Sequence, residues 1–387
     1  MAVPMADSEK YTRAMDRAQL DDIESQIRAL RSRHDLTKKR LESYKYPVLT
    51  LPSEIVSEIF VHFLPVYPLC PPQEGLLSPT LLTHICQKWR EIALGTPALW
   101  RAISLRDDIA LEQQIHLLET WLSRSGCCPL SIHMEDYELI PMDEYIEAIV
   151  PHRARLEYAR FHISLSGLRA LEGVMPLLRQ LSIRLPYDRD VPPSYVSFHE
   201  VPRLRAVTLW DFTFTMDLLP WSQLTSLTLV AKTPSECTPV LKETTNLIHC
   251  KLITGGDAHV PQPDTHLPYL ETLVFVHFVA DEDPATEYLD AFIAPALRRL
   301  QIPETFLIPH PYPYSHPCAT LRAFIAKSGC NPHEIFITGA MTMRKSVYRK
   351  EFPTIKFTFN TVLTDSYCDV EPDSPRVQAF SDEDWYP

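Results

Sequence analysis

Near the amino terminus, apolar side chains recur at alternating steps of three and four: Leu20, Ile23, Ile27 and Leu30, continued by His34, Thr37, Leu41 and Tyr44. This is the 3.5-residue period of a coiled-coil seam, weakened where His34 and Thr37 take core positions. The pattern predicts a polar, coiled-coil-type helix over residues 1–47 with a disordered start, ended by Pro47. Its single stripe must pair with a second chain or fold back on the next domain, so self-association through this helix is one expectation. Residues 48–105 read as a separate helical unit. Ser53 is placed as an N-cap, and Ile55, Ile59, Phe60 and Phe63 follow at helical spacing. The proline-rich run Pro65–Pro79 cannot be helical throughout. A second helix is then predicted over Thr80–Leu94, with Leu81, Leu82, Ile85, Trp89, Ile92 and Ala93 along its apolar side. So short a unit cannot bury Ile55, Ile59, Phe63, Leu82, Ile85, Trp89 and Trp100 by itself; it needs the next domain or a partner.

Beyond it, one phrase keeps returning: Leu, two residues, apolar, one residue, apolar. It stands at Leu156-Ala159-Phe161, Leu178-Leu181-Ile183, Leu204-Val207-Leu209 and Leu224-Leu227-Leu229. It continues at Leu247-Cys250-Leu252, Leu270-Leu273-Phe275, Leu297-Leu300-Ile302 and, more weakly, Leu321-Phe324-Ala326. The starts are 22, 26, 20, 23, 23, 27 and 24 residues apart, within the range of about 20 to 29 for leucine-rich repeats. Each copy reads as one short strand, too small to bury its apolar side alone; stacked copies make a parallel sheet. The series resembles an irregular leucine-rich-repeat solenoid over residues 106–339. The usual turn Asn or Cys is replaced by Pro186, Phe212, Lys232, Gly255, Phe278 and Thr305, so other groups must satisfy the turns. A second echo, Trp121–Ile132 against Phe324–Ile335, shares a Ser-Gly-Cys core followed by Pro and reads as a helix end leading into a strand. Residues 340–387 form a terminal cap, with an edge strand near Phe352–Thr361, and an acidic tail.

The run LPSEIVSEIFVHFLP and then LLTHICQKWREIALGTPALW resembles the F-box. Its Leu-Pro-x-Glu opening, Cys-x-x-Trp-Arg centre and Pro-x-Leu-Trp close fall at Leu51-Pro52-Glu54, Cys86-Trp89-Arg90 and Pro97-Leu99-Trp100. An insertion of about a dozen residues, Val66 to Pro79, is expected to form a surface loop between the two helices. Preceded by a coiled-coil helix, this expanded form is similar to the F-box proteins of mushroom-forming fungi. The resemblance implies a substrate-recognition subunit of an SCF-type cullin–RING ubiquitin ligase. Leu51, Pro52, Ile55, Ile59, Cys86 and Trp89 would then meet a Skp-family adaptor, while the repeat array binds a target protein of unknown identity. The alternative is a scaffold in which the F-box-like helices merely cap the array.

Composition narrows the rest. The chain has 35 prolines but nine glycines in 387 residues, with no Gly-x-Gly, so neither the dinucleotide fingerprint nor the phosphate loop can be written. Pro176, Pro202, Pro268 and Pro295 each stand two residues ahead of a repeat leucine, and Pro220 and Pro317 four ahead. They read as punctuation that ends one segment and sets an extended entry to the next. A net charge of −12 argues against nucleic acid. Nine scattered cysteines, with no C-x-x-C, suggest a reducing compartment, cytoplasmic or nuclear, and neither a leader nor a membrane span is visible. There is no H-E-x-x-H, no G-x-S-x-G and no metal-ligand spacing among the 15 histidines, so no cofactor or metal is expected and no bond chemistry of the chain's own. Binding remains. On the repeat strands Arg184, Trp210 and Arg299 lie between the inward apolar positions and are the candidate target contacts.

Overall fold

The computed structural model describes residues 5–43, 47–106, 110–135, 143–185, 196–198, 200–210, 217–254, 262–277, 288–308 and 316–360. The acidic tail expected after residue 360 and the turn positions Pro186, Phe212, Gly255 and Phe278 lie outside the described residues. The chain is mixed α/β and divides into two compact units, Met1–Ile59 and Phe60–Pro387.

The first unit holds a long helix, α1 (Met5–Ser43), a short 3-10 turn (Pro47–Thr50) and the start of α2 (Ser53–Phe63). Ser53 is the first helical residue rather than the cap. The Pro52 carbonyl already accepts the Val56 N–H, at 3.2 Å.

The second unit continues with α3 (Pro79–Ile85) and α4 (Gln87–Leu94), then an eleven-stranded sheet. Its strands are β1 (Ala102–Arg106), β2 (Leu130–Glu135), β3 (Leu156–His162), β4 (Gln180–Arg184), β5 (Ala206–Trp210), β6 (Ser226–Lys232) and β7 (His249–Thr254). The two-residue β8 (Thr265–His266) pairs instead with β10 (Phe292–Ile293), and the main sheet resumes with β9 (Thr272–His277), β11 (Arg299–Pro303), β12 (Glu334–Thr338) and β13 (Lys356–Asn360). The strands lie in chain order and all pair parallel. Parallel neighbours need crossovers. Helices α5 (Leu111–Arg124), α6 (Ile146–Ile149), α7 (Leu165–Ala170), α8 (Pro234–Glu243), α9 (Pro317–Ser328) and α10 (Lys345–Glu351) supply most of them.

The register explains why the apolar phrase repeats. One row runs across the whole sheet: Ile103, Ile132, Ala159, Leu181, Val207, Leu227, Cys250, Leu273, Leu300, Ile335 and Phe357 are successive register partners. Two residues on, Phe161, Ile183, Leu209, Leu229, Leu252 and Phe275 form a second row. The leading leucines form a third, just before the strands. From Leu178 to Leu297 each donates its backbone N–H to the carbonyl three residues earlier, at 3.0–3.3 Å, closing a turn. All three rows are buried. Pro176, Pro202, Pro268 and Pro295 sit at the second position of these turns, where a fixed φ near −65° is pre-set. The prolines therefore make the turn before the strand, which corrects the expectation of an extended entry.

Strand entry is also tied strand to strand. The carbonyls of Arg179, Arg205, Thr225, Ile248, Glu271 and Arg298 each accept two consecutive N–H groups from the next turn-strand junction, at 2.8–3.3 Å. Backbone thus satisfies backbone on this edge.

Three further expectations are corrected. The eighth phrase, Leu321-Phe324-Ala326, lies in α9 and not on a strand. A three-residue spacing also fits one face of a helix, and Pro317 in its first turn and left-handed Gly329 (φ 63°) at its end frame a helix there. The echo with Trp121–Ile132 is the better guide: α5 likewise ends before left-handed Gly126 (φ 56°), and each helix is followed by a strand. The predicted helix Thr80–Leu94 is broken at Cys86, whose backbone is extended (φ −157°, ψ 167°). Finally, residues 66–79 are not a simple surface loop. Ser131 donates to the Pro68 carbonyl (2.8 Å), Gln73 donates to the Ser104 carbonyl (2.6 Å) and exchanges amide bonds with buried Gln114, and Tyr67 donates to Glu157 (3.0 Å) beneath the Arg101 guanidinium. The insertion is strapped over β1–β3, and burial together with the Glu157 carboxylate holds the Tyr67 hydroxyl protonated.

The far end is closed by Glu304, fully buried after β11. Its carboxylate accepts from the Thr342 N–H and hydroxyl, the Met343 N–H and the Tyr348 hydroxyl (2.8 Å), fixing the approach to α10. Leu227→Ala in the central row is expected to cost about 2–5 kcal/mol, and Glu304→Ala about 3 kcal/mol by stranding the buried Tyr348 hydroxyl and releasing residues 342 and 343. Urea denaturation followed by circular dichroism checks both, with Lys242→Ala on an exposed helix face expected to change little.

Candidate functional site

In the first unit, α2 splits its apolar residues between two stripes. Val56 is 2% exposed, whereas Ile55 and Ile59, one turn apart, are each 50% exposed. Pro52 is exposed and Leu51 half-buried. Four of the six residues expected to meet an adaptor therefore lie at or near the surface of this unit.

In the second unit the motif Cys86-x-x-Trp89-Arg90 builds a corner. Ser78 caps α3 by accepting the Thr80 N–H (3.2 Å). The chain turns at Cys86, whose Sγ accepts the Trp89 N–H (3.5 Å) and so caps α4. Arg90 Nε donates to the Thr83 carbonyl (2.7 Å), tying α4 back to α3. Trp89 meets buried Phe60 edge to face, ring centres 4.9 Å apart, and its indole nitrogen is buried. Trp100 donates to the Ala93 carbonyl (2.9 Å) and packs on Trp121 at 5.4 Å. Cys86 and Trp89 hold the helices in place more than they face outward. The apolar side expected over residues 80–94 groups Leu81 and Ile85 with Leu82. In the structure Leu82 is buried, while Leu81 and Leu94 are exposed and Ile85 is 53% exposed. The signal lay in the spacing: Leu81 and Ile85 are one turn apart, and Leu82 belongs to the neighbouring stripe.

The other candidate surface is the polar side of the sheet. Gln180, Ala206, Ser226, His249, Thr272 and Arg299 form one register row there, and Ser182, Thr208, Thr228, Lys251, Val274 and Gln301 the next. Arg184 and Trp210 are direct register partners with the guanidinium 5.2 Å from the indole centre, a cation–π pair. Arg299 lies four strands from Trp210 and five from Arg184 in the sheet order, about 19–24 Å at the usual strand spacing. The structure brings two of the three expected contacts together and leaves the third apart. Arg160, Arg184, Lys251 and Arg299 give this side a basic character between β3 and β11, within an acidic chain.

Among the described residues no three His, Cys, Asp or Glu side chains gather as a metal site would, and no helix is long and apolar enough to cross a membrane. The most displaced histidine is structural. His133, on β2 between Ser104 and Arg160 in register, is drawn from 6.5 to about 3, first by burial and then by the Arg160 guanidinium. The unfolded chain takes up a proton there near pH 6.5 that the folded chain refuses until about pH 3, so stability falls as pH drops through that window. His133→Gln should flatten the fall in urea midpoint between those two pH values; an unchanged slope would assign it to other groups.

No family model matches the chain, and no curated protein is similar enough to it to count as a relative.

Proposed function

We propose that the chain is the substrate-recognition subunit of an SCF-type cullin–RING ubiquitin ligase. The segment from Leu51 to Trp100 acts as its F-box on a Skp-family adaptor, and the stacked strands act as an irregular leucine-rich-repeat array that holds a target protein. The observation that carries this reading is the half-exposed pair Ile55 and Ile59 beside buried Val56. Water-facing isoleucines one turn apart, directly after a Leu-Pro-x-Glu opening, are what an adaptor groove would bury. The ordered leucine turns and the sheet's basic polar side, with its Arg184–Trp210 pair, support the array as the target-binding part. Such a receptor performs no bond chemistry. It raises the effective concentration of a target lysine near the ubiquitin-loaded conjugating enzyme. Cytoplasm and nucleus, where that machinery works, are the compartments this reading implies.

The purified chain should form a stoichiometric complex with a fungal Skp-family adaptor by isothermal titration calorimetry. Ile55→Asp with Ile59→Asp should weaken it about a hundredfold or more, while circular dichroism and the melting temperature stay near those of the parent, since neither side chain is buried. Failure of the parent chain to bind, or full binding by the double variant, returns the helices to the role of a cap on a scaffold.

A further inference from the structure

The two ends of the sheet are finished differently. At β1 the insertion reaches over the strand, where Gln73 donates to the Ser104 carbonyl at 2.6 Å. At the other end β13 pairs with β12 alone, and among the described residues no strand follows it in the sheet. An edge strand is a template for another chain, because its outward N–H and C=O groups lack the partners an inner strand has. Charge at this end indicates what would pair there. Residues 340–360 hold five bases and one acid, in a chain of net charge −12. The acids close by are already engaged: Glu351 pairs with Arg322, Glu334 with Lys356, and buried Glu304 is held by Thr342, Met343 and Tyr348. Arg344, Lys345, Arg349 and Lys350 are exposed, and among the described residues none of the four has an acidic partner. Lys345 and Arg349 stand over the Phe359 ring, 5.5 and 5.7 Å from its centre, so two of these cations lie against the edge strand itself.

The two observations select one kind of ligand. A strand edge selects a chain with backbone amides of its own, which nucleic acid and lipid lack, and the cations select acidic side chains. We propose that β13 is a docking edge for an acidic, extended segment of another protein. That segment adds to the eleven-stranded sheet as a further strand, with its carboxylates toward the cations of residues 344–350. Main-chain hydrogen bonds supply affinity, and the cations choose the partner. This holds whatever the segment from Leu51 to Trp100 binds.

Fluorescence anisotropy of the full chain with a labelled peptide that alternates Glu and Val tests this without any adaptor present. Binding is expected, and Lys345→Gln, Arg349→Gln and Lys350→Gln combined should weaken it about tenfold or more, with the strand signal in circular dichroism retained. A peptide with Pro-Pro at its centre loses N–H groups on both sides of the strand and should bind about tenfold more weakly or worse. No binding of the Glu-Val peptide, or binding untouched by the three changes, overturns the proposal. So does equal binding of the Pro-Pro peptide, or of a single-stranded oligonucleotide of the same charge, because neither can extend the sheet. Changing the seven acids of residues 361–387 to amides tests the source of the acidic segment. Peptide binding that appears only in that variant assigns the edge to the chain's own terminus and overturns a separate partner; equal binding by both forms supports one.

Discussion

The sheet depends on repeated burial of the same three side-chain positions. A single copy of the phrase presents a leucine in a turn and two apolar side chains on a strand, too little to hold a strand in place alone. Stacked in register, Leu178 to Leu297, Leu181 to Leu300 and Ile183 to Phe275 become continuous apolar rows from which water is excluded. The hydrogen-bond pattern follows the same logic. A turn closed by each leucine N–H sets the start of its strand, and a carbonyl one strand back accepts two N–H groups from that junction. Burial fixes the register, and the register lets backbone groups find one another without a ladder of asparagines.

How much of this was legible in the sequence differs from element to element. Seven of the eight phrases lead into strands because three features coincide: the period, the apolar spacing and the turn-forming residues before the leucine. The eighth does not, because Leu321 and Phe324 satisfy a helix face as well as a strand, and only Pro317 and Gly329 separate the two outcomes. The first strand, β1, escapes the phrase for a different reason. Its turn is closed by the Leu99 N–H on the Thr96 carbonyl, with Pro97 second, but Leu99 stands four residues before Ile103 rather than three. Glu304 was equally hidden: a lone acid among apolar residues gives no sign of its four donors from residues 342–348, which reach it only in the fold.

The motif residues separate in the same manner. Spacing presents Leu51, Pro52, Ile55, Ile59, Cys86 and Trp89 as one set, since it reports which residues matter without reporting why. Cap geometry at Cys86, the Phe60 contact of Trp89 and the Thr83 bond of Arg90 account for the Cys-x-x-Trp-Arg spacing as a way of turning a corner between two helices. What faces solvent is a different set, Pro52, Ile55 and Ile59 in the first unit and Leu81 and Ile85 in the second. The insertion between the helices could not be placed from composition, because its anchors, Pro68 to Ser131 and Gln73 to Ser104, join residues far apart in the chain. Proline abundance, by contrast, acquires a definite role at the second position of the turns that precede strands.

Stacked rows make the middle of the sheet its most stable part, with strength passed between neighbours and fading toward the ends. Native-state hydrogen exchange read by mass spectrometry measures this directly. The slowest exchange is expected in peptides covering β4 to β7, with the turn amides of Leu204, Leu224 and Leu247 as protected as the strands they precede. Protection should decline toward β1 and β13. Rapid exchange at those leucines, or a centre no slower than the edges, would contradict stacking as the source of the sheet's stability.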